Sequence, residues 1–194
     1  MKKTLILLIM LTGAISLHAQ VRRTPVQQRN TVQTSSGMYK GTLGHYELRG
    51  PVKTCKEIGD DWELNYVFEK NGVISTINGE SVSTSPRTYE FDTNGRIIRF
   101  FPIPGHEHLY EKYDYDKVGR LIKTTTYDDN YAKDITTIFY NEKGYCFKKA
   151  YVAYGPHGGN GTSTCKVLET DQYGNWTKRT WGSIIERREI TYYE

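Results

Sequence analysis

Apolar and polar residues alternate along most of the chain after residue 42, and glycines interrupt the alternation at regular intervals. In one such unit, Tyr113 and Tyr115 share one face of an incoming segment, and Leu121 follows Gly119 by two positions. Alternation with a period of two is typical of half-buried β-strands. The unit recurs five times along the chain, around Gly72, Gly95, Gly119, Gly144 and Gly174.

The residues between the two strands of a unit predict a tight turn. Asp92-Thr93-Asn94-Gly95 and Asp116-Lys117-Val118-Gly119 both fit a type I turn whose fourth residue has a positive φ angle. Glycine enters that region without steric cost, and an aspartate at the first position can accept hydrogen bonds from the turn amides. Each unit is therefore predicted to be one antiparallel β-hairpin, and a half copy at residues 48–53 opens the series.

The spacing of the units predicts the fold class. The turn glycines from Gly50 onward lie 22 to 30 residues apart, and a period in this range marks a repeat architecture. No stretch shows a helical period, so we expect an all-β antiparallel meander of about 12 strands, in a curled or partly closed sheet because long sheets twist. Tyrosine outnumbers phenylalanine 16 to 6, which suits a thin core whose ring hydroxyls reach water.

The first 42 residues differ in composition from the rest. Lys2 and Lys3 precede an apolar run from Leu5 to Leu17, and Ala19 lies at its polar end. This pattern predicts a signal peptide over residues 1–20, followed by a flexible polar linker over 21–42 and the repeat domain over 43–194. The alternative is a membrane anchor, but the run is shorter than the roughly 20 residues that a span requires. The expected location is therefore the periplasm, the cell surface or the medium.

The net charge adds little to this picture. The chain carries 26 Lys+Arg and 22 Asp+Glu. Without the two lysines of the predicted signal peptide, 24 basic residues oppose 22 acidic ones, a net charge of +2. Such a balance favours neither a nucleic acid nor an anionic membrane as a partner.

One repeat resembles a known family. Residues 115–121, Tyr-Asp-Lys-Val-Gly-Arg-Leu, match every fixed position of the Tyr-Asp-x-x-Gly-Arg-Leu signature of YD or Rhs repeats, and residues 91–97 are a near match. Over residues 46–193 the chain is similar to small exported Bacteroidetes proteins with a few such repeats. The resemblance implies a β-hairpin array, which in large relatives forms a shell around a toxin or a cell-surface binding module. Five or six hairpins are too few to enclose a toxin.

Few residues suggest catalysis or metal binding. His106-Glu107-His108 would place two imidazoles on one side of a strand, with His157 or Asp128 as a third metal ligand. The alternative interpretation is an exposed polar loop, and the sequence favours neither a metal, a cofactor nor an enzyme. Three cysteines, Cys55, Cys146 and Cys165, allow one disulfide at most. Cys146 occupies the position of Ile74 in its repeat, which predicts a small buried side chain.

Candidate binding residues lie in the irregular connections opposite the glycine turns, at residues 78–87, 101–109, 127–134 and 154–163. Binding residues tend to lie on variable loops of a regular scaffold. Tyrosine rings could stack on sugars while acidic side chains bind hydroxyls, although the rings could instead cover the ends of the core. The candidate site consists of Tyr127, Asp128, Asp129, Tyr131 and Tyr154.

Two functions are consistent with these patterns. The first is an exported, non-enzymatic module that binds a glycan or a protein at the envelope or outside the cell. The second is an assembly protein that pairs edge strands with neighbouring copies. For the second, the last strand at residues 189–193 is expected to be a free edge, with Arg187 and Arg188 as possible blockers of pairing.

Overall fold

The structure, a computed structural model, describes residues 39–156 and 158–194. The predicted signal peptide and residues 21–38 of the predicted linker lie outside the described residues. The prediction of an all-β antiparallel meander is confirmed, since 13 strands form a single sheet. The strands are β1 Val52–Ile58, β2 Glu63–Phe68, β3 Ile74–Ile77, β4 Glu80–Ser81, β5 Thr88–Phe91, β6 Ile97–Phe101, β7 Leu109–Tyr115, β8 Leu121–Asp128, β9 Tyr131–Tyr140, β10 Cys146–Ala153, β11 Gly159–Thr170, β12 Trp176–Trp181 and β13 Ile184–Tyr192.

The strand order places the two ends of the domain in the middle of the sheet. The order is β4-β3-β2-β1-β13-β12-β11-β10-β9-β8-β7-β6-β5. The prediction that the last strand is a free edge is therefore wrong, because β13 pairs with β12 and with β1, for example Ile190 with Cys55. The half copy at residues 48–53 leads into β1, which is the strand that pairs with β13. The outermost strands are β4 and β5.

A short connection between the outermost strands requires the sheet to curl. Residues 82–87 link Ser81 of β4 to Thr88 of β5, and seven peptide units span at most about 25 Å. In a flat sheet of this order the outermost strands would be about 58 Å apart. The sheet therefore bends back on itself, with its aromatic face inside, but β4 and β5 do not pair and the sheet is not closed.

The five repeat turns have the predicted geometry. Their glycines have φ angles between 74° and 88°. At Asp92, Oδ1 accepts hydrogen bonds from the amides of Asn94 and Arg96 at 2.9 and 3.0 Å, and Oδ2 accepts one from the Arg96 Nε at 2.7 Å. Asp116 and Arg120 repeat these contacts. The arginine of the repeat thus stabilises the same turn carboxylate that orders the backbone.

The tyrosine of the repeat joins neighbouring hairpins. The Tyr115 hydroxyl donates to the Ile97 carbonyl at 2.7 Å, and the Tyr140 hydroxyl donates to the Leu121 carbonyl at 2.7 Å. Burial raises the pKa of both hydroxyls above the usual range. The expectation that core tyrosine hydroxyls reach water is therefore wrong for these two side chains. The equivalent residue on β5 is Phe91, and among the described strands β5 pairs only with β6.

Residues 39–50, here called the capping segment, run across the repeat turns. The Thr42 amide donates to the Gly72 carbonyl at 2.9 Å, and the Arg49 Nη2 donates to the Gly144 carbonyl at 3.1 Å. Gly44 lies so close to a third turn that a Cβ there would be 1.9 Å from the Gly119 carbonyl oxygen. Residues 39–42 of the predicted linker therefore belong to the folded domain, because the capping segment fills the space between the turns.

The core lies between the capping segment and the inner face of the sheet. Leu43 and Leu48 pack with Phe68, Ile74 and Ile97 in one buried cluster. A second buried cluster is Leu121, Ile138 and Cys146. Cys146 is buried as predicted, and all three cysteines are free thiols.

Two of the predicted connections are shorter than expected. Residues 127–134 consist mostly of the ends of β8 and β9, joined by Asp129 and Asn130, whose φ angles of 49° and 67° are typical of a two-residue hairpin turn. Residues 159–163 belong to β11. The Tyr151 ring lies over Gly161, where a Cβ would be 2.6 Å from the ring, so the glycine there makes room for an aromatic side chain.

Candidate functional site

The candidate site lies at the end of the sheet opposite the glycine turns, here called the rim. The neighbouring strands β7, β8, β9 and β10 bring three connections side by side at the rim, at residues 102–108, 129–130 and 154–156. Two backbone hydrogen bonds tie the first and third connections to the hairpin formed by β8 and β9. The Asp129 amide donates to the His108 carbonyl at 3.1 Å, and the Tyr154 amide donates to the Lys133 carbonyl at 2.7 Å. The three connections therefore form one continuous surface.

Tyr127 belongs to an aromatic stack on the outer face of the sheet. It pairs directly across from Tyr110, and the two rings are nearly parallel, at 12°, with centroids 4.7 Å apart. The Phe101 ring lies 5.9 Å from Tyr110, and the Arg99 guanidinium is 5.5 Å from the Tyr110 centroid. Counting outward from the Asp116 turn would pair residue 110 with residue 126, and the irregularity between Asp114 and Tyr115 shifts the register so that Tyr110 faces Tyr127. The stack could therefore not be read from the sequence.

Asp128 and Tyr131 lie on the opposite face of the sheet from Tyr127. Successive strand residues alternate between faces, and directly paired residues share one. Asp128 pairs with Leu109 and with Tyr131. Leu109 shares the inner face with Tyr113, which packs against the core. The structure therefore brings the predicted site residues to one rim but divides them between two faces.

Tyr131 and Tyr154 are the most exposed rings of the predicted site. Tyr131 has 74% of its surface exposed and Tyr154 has 53%. The backbone bond between Tyr154 and Lys133 places the second tyrosine beside the start of β9, where Tyr131 lies. The alternative in which these rings cover the end of the core does not fit exposures this high.

A cluster of potential metal ligands lies where the β6–β7 connection meets the β8–β9 turn. Ligand atoms of His108, Asp128 and Asp129 all lie within 4.8 Å of one another. The His106 ring is 5.4 Å from the His108 ring, and Lys133 Nζ lies 3.5 Å from the Asp128 carboxylate. The predicted third ligand Asp128 is in place, Asp129 joins it, and His157 is outside the described residues. The sequence placed Asp129 in the candidate sugar-binding site and not among the metal ligands, because its proximity to His108 depends on the pairing of β7 with β8.

A surface groove of about 480 Å³ lies between β3 and β5, where the sheet remains open. Hydroxyl side chains such as Ser75, Ser83 and Ser85 line it together with Tyr89 and Phe91. The groove combines hydroxyls with exposed aromatic surface, which is a composition suited to a polar ligand. It is remote in the strand order from the rim strands β8 and β9.

Charged residues inside the sheet pair with each other. The Arg188 guanidinium donates to the Glu57 carboxylate, and the Arg179 Nε donates to Glu186 at 2.5 Å. The two guanidiniums lie 3.7 and 3.8 Å from the centroid of the Trp176 ring. Arg188 therefore neutralises a buried carboxylate and does not block an edge, and the cluster contributes to the core rather than to an exposed site.

The cysteine thiols are poorly suited to nucleophilic chemistry. Burial raises the pKa of Cys55 and of Cys146 to about 12, and that of Cys165 to about 11. The thiolate is the reactive form of cysteine, so all three side chains remain protonated at neutral pH. Burial also lowers the pKa of His45 to about 4, so this imidazole is neutral.

No protein-family profile matches the chain, and no curated protein matches it significantly in sequence. The likeness to YD repeats therefore rests on the repeat residues alone. In the described part of the chain, the one helix is the four-residue 3₁₀ turn Leu43–Tyr46, and no helix has the length and hydropathy of a membrane span.

Proposed function

We propose that the protein is an exported, non-enzymatic repeat protein of the YD type that binds a glycan through its rim. The binding takes place in the periplasm, at the cell surface or outside the cell. The observation that carries this proposal is the pair of exposed rings, Tyr131 and Tyr154, with 74% and 53% of their surfaces accessible. Cell fractionation tests the location, and a protein retained in the cytoplasm would contradict export.

The chemistry of the rim supports a carbohydrate ligand. Exposed aromatic rings offer flat apolar surface that matches the C–H face of a sugar ring, and carboxylates accept hydrogen bonds from its hydroxyls. Asp128 lies directly across from Tyr131 on the same face of the sheet. Tyr131 is the first residue of β9 and Tyr154 directly follows β10, so both rings are attached at strand ends, which limits the conformational entropy lost on binding.

A glycan array followed by titration calorimetry tests the proposal. The wild-type protein should bind at least one glycan class, and Tyr131→Ala with Tyr154→Ala should weaken that binding about tenfold or more. Phe139→Ala is a matched control, because Phe139 is 39% exposed on the same strand as Tyr131. Eight residues, or about 27 Å, separate the two positions. A folded wild-type protein that binds no glycan would contradict a sugar ligand, and a protein ligand would then take its place.

Assembly through edge pairing is the second candidate function. The strand that favours it is β5, since Thr88–Phe91 pairs only with β6 among the described strands. Phe91 on this strand is 37% exposed. Light scattering distinguishes the two functions: a monomer at high concentration excludes assembly, whereas oligomers that Glu90→Pro dissociates would favour assembly over glycan binding.

A further inference from the structure

We propose that His106, His108, Asp128 and Asp129 form a binding site for a zinc-like divalent cation at the rim. The site joins the β6–β7 connection, which supplies the two histidines, to the β8–β9 turn, which supplies the two aspartates. It shares Asp128 and Asp129 with the candidate glycan site, but its test is separate, because cation binding requires the histidines whereas sugar binding requires the rings of Tyr131 and Tyr154.

The positions of the ligand atoms carry the proposal. The ligand atoms of His108, Asp128 and Asp129 lie within 4.8 Å of one another. In a tetrahedral zinc site with bonds of about 2.1 Å, neighbouring ligand atoms are about 3.4 Å apart. A change of roughly 1 Å in exposed side chains closes that difference. The His106 ring, 5.4 Å from His108, is close enough to supply a fourth ligand after rotation.

The types of ligand decide which cations fit. Imidazole nitrogen favours zinc, nickel and copper, whereas calcium and magnesium prefer oxygen ligands alone. Two imidazoles with two carboxylates form a mixed nitrogen and oxygen set that gives a neutral site when a doubly charged cation binds. We therefore expect binding of Zn²⁺ and little binding of Ca²⁺ or Mg²⁺.

Lys133 competes with the cation for Asp128. Its Nζ is 3.5 Å from the Asp128 carboxylate, and both side chains are partly exposed. An ammonium group at this distance partly neutralises the carboxylate and repels a cation. The lysine therefore lowers the affinity of the site, and removing it should tighten binding. Weaker binding without His108 and tighter binding without Lys133 would together distinguish a specific cation site from a general effect of surface charge.

Titration calorimetry of the protein without a polyhistidine tag, with zinc sulfate as the probe, tests the site. Wild-type protein should bind one Zn²⁺ per chain. His108→Ala should weaken the binding at least about tenfold, and Lys133→Ala should strengthen it by about threefold or more. The matched control is Asp60→Asn with Asp61→Asn, an exposed acidic pair in the β1–β2 turn that leaves the four ligands intact.

Two results would overturn the proposal. One is an absence of zinc binding by folded wild-type protein at millimolar zinc, and the other is equal affinity in wild type and His108→Ala. Circular dichroism of each variant confirms that its fold is retained, which is expected since His108 and Asp129 are exposed. If the Asp60 and Asp61 control loses binding as strongly as His108→Ala, the zinc binds elsewhere and the proposal is also wrong.

Discussion

The hydroxyl of Tyr140 provides a direct test of how neighbouring hairpins are joined. Replacing Tyr140 with Phe removes one oxygen atom and keeps the ring, over which the Arg120 guanidinium lies at 4.5 Å. The change deletes the 2.7 Å hydrogen bond to the Leu121 carbonyl. A hydrogen bond of this kind contributes about 1 kcal/mol net, and a buried carbonyl left without its partner raises the loss to about 2 kcal/mol.

Reversible denaturant unfolding measures this loss. The free energy of unfolding should fall by about 1–2 kcal/mol, and the Tm by about 2–8 °C for a domain of this size. Tyr131→Phe is the matched control, because Tyr131 is 74% exposed on the same strand, and its effect should stay within about 0.5 kcal/mol. If Tyr140→Phe is as stable as the wild type, the hydroxyl does not join the hairpins and the reasoning fails.

Two further predictions concern the turns and the core. Gly95→Val and Gly119→Val should each lower the free energy of unfolding by about 1–3 kcal/mol, because valine is strained at φ angles of 75° and 88°. Gly105→Val, also at positive φ but with no atom within 4 Å of the new Cβ, should show the backbone cost alone. Burial lowers the pKa of His45 to about 4, from a usual value of about 6.5. The contribution of the neutral imidazole to the free energy of unfolding is therefore complete above about pH 6.5 and is lost as the pH falls towards 4. His45→Gln should therefore show a shallower loss of stability across that window in acid unfolding, and an unchanged pH dependence would contradict the assignment.

The sequence by itself was sufficient for the hairpin unit. Each turn depends on residues only a few positions apart, such as Asp116, Gly119 and Arg120, whose hydrogen bonds close within the turn. Alternation of apolar residues then determines which face of each strand is buried. Both signals are local, and the structure confirms the hairpin turns with glycine at positive φ and the all-β meander.

Which strands pair at the middle of the sheet, and which residues meet at the rim, depended on contacts between residues that are distant in the sequence. The last strand, β13, pairs with β1, 131 residues away at Glu57 and Arg188, so a strand that looked like a free edge became central. Residues 39–42 of the capping segment looked like part of a polar linker because their partners, such as the Gly72 carbonyl and the Ile74 amide, lie about 30 residues away in the sequence. The proximity of His108 to Asp129 likewise required the register of β7 and β8. Such pairings follow from burying one shared inner face, and no single segment of the sequence contains that information.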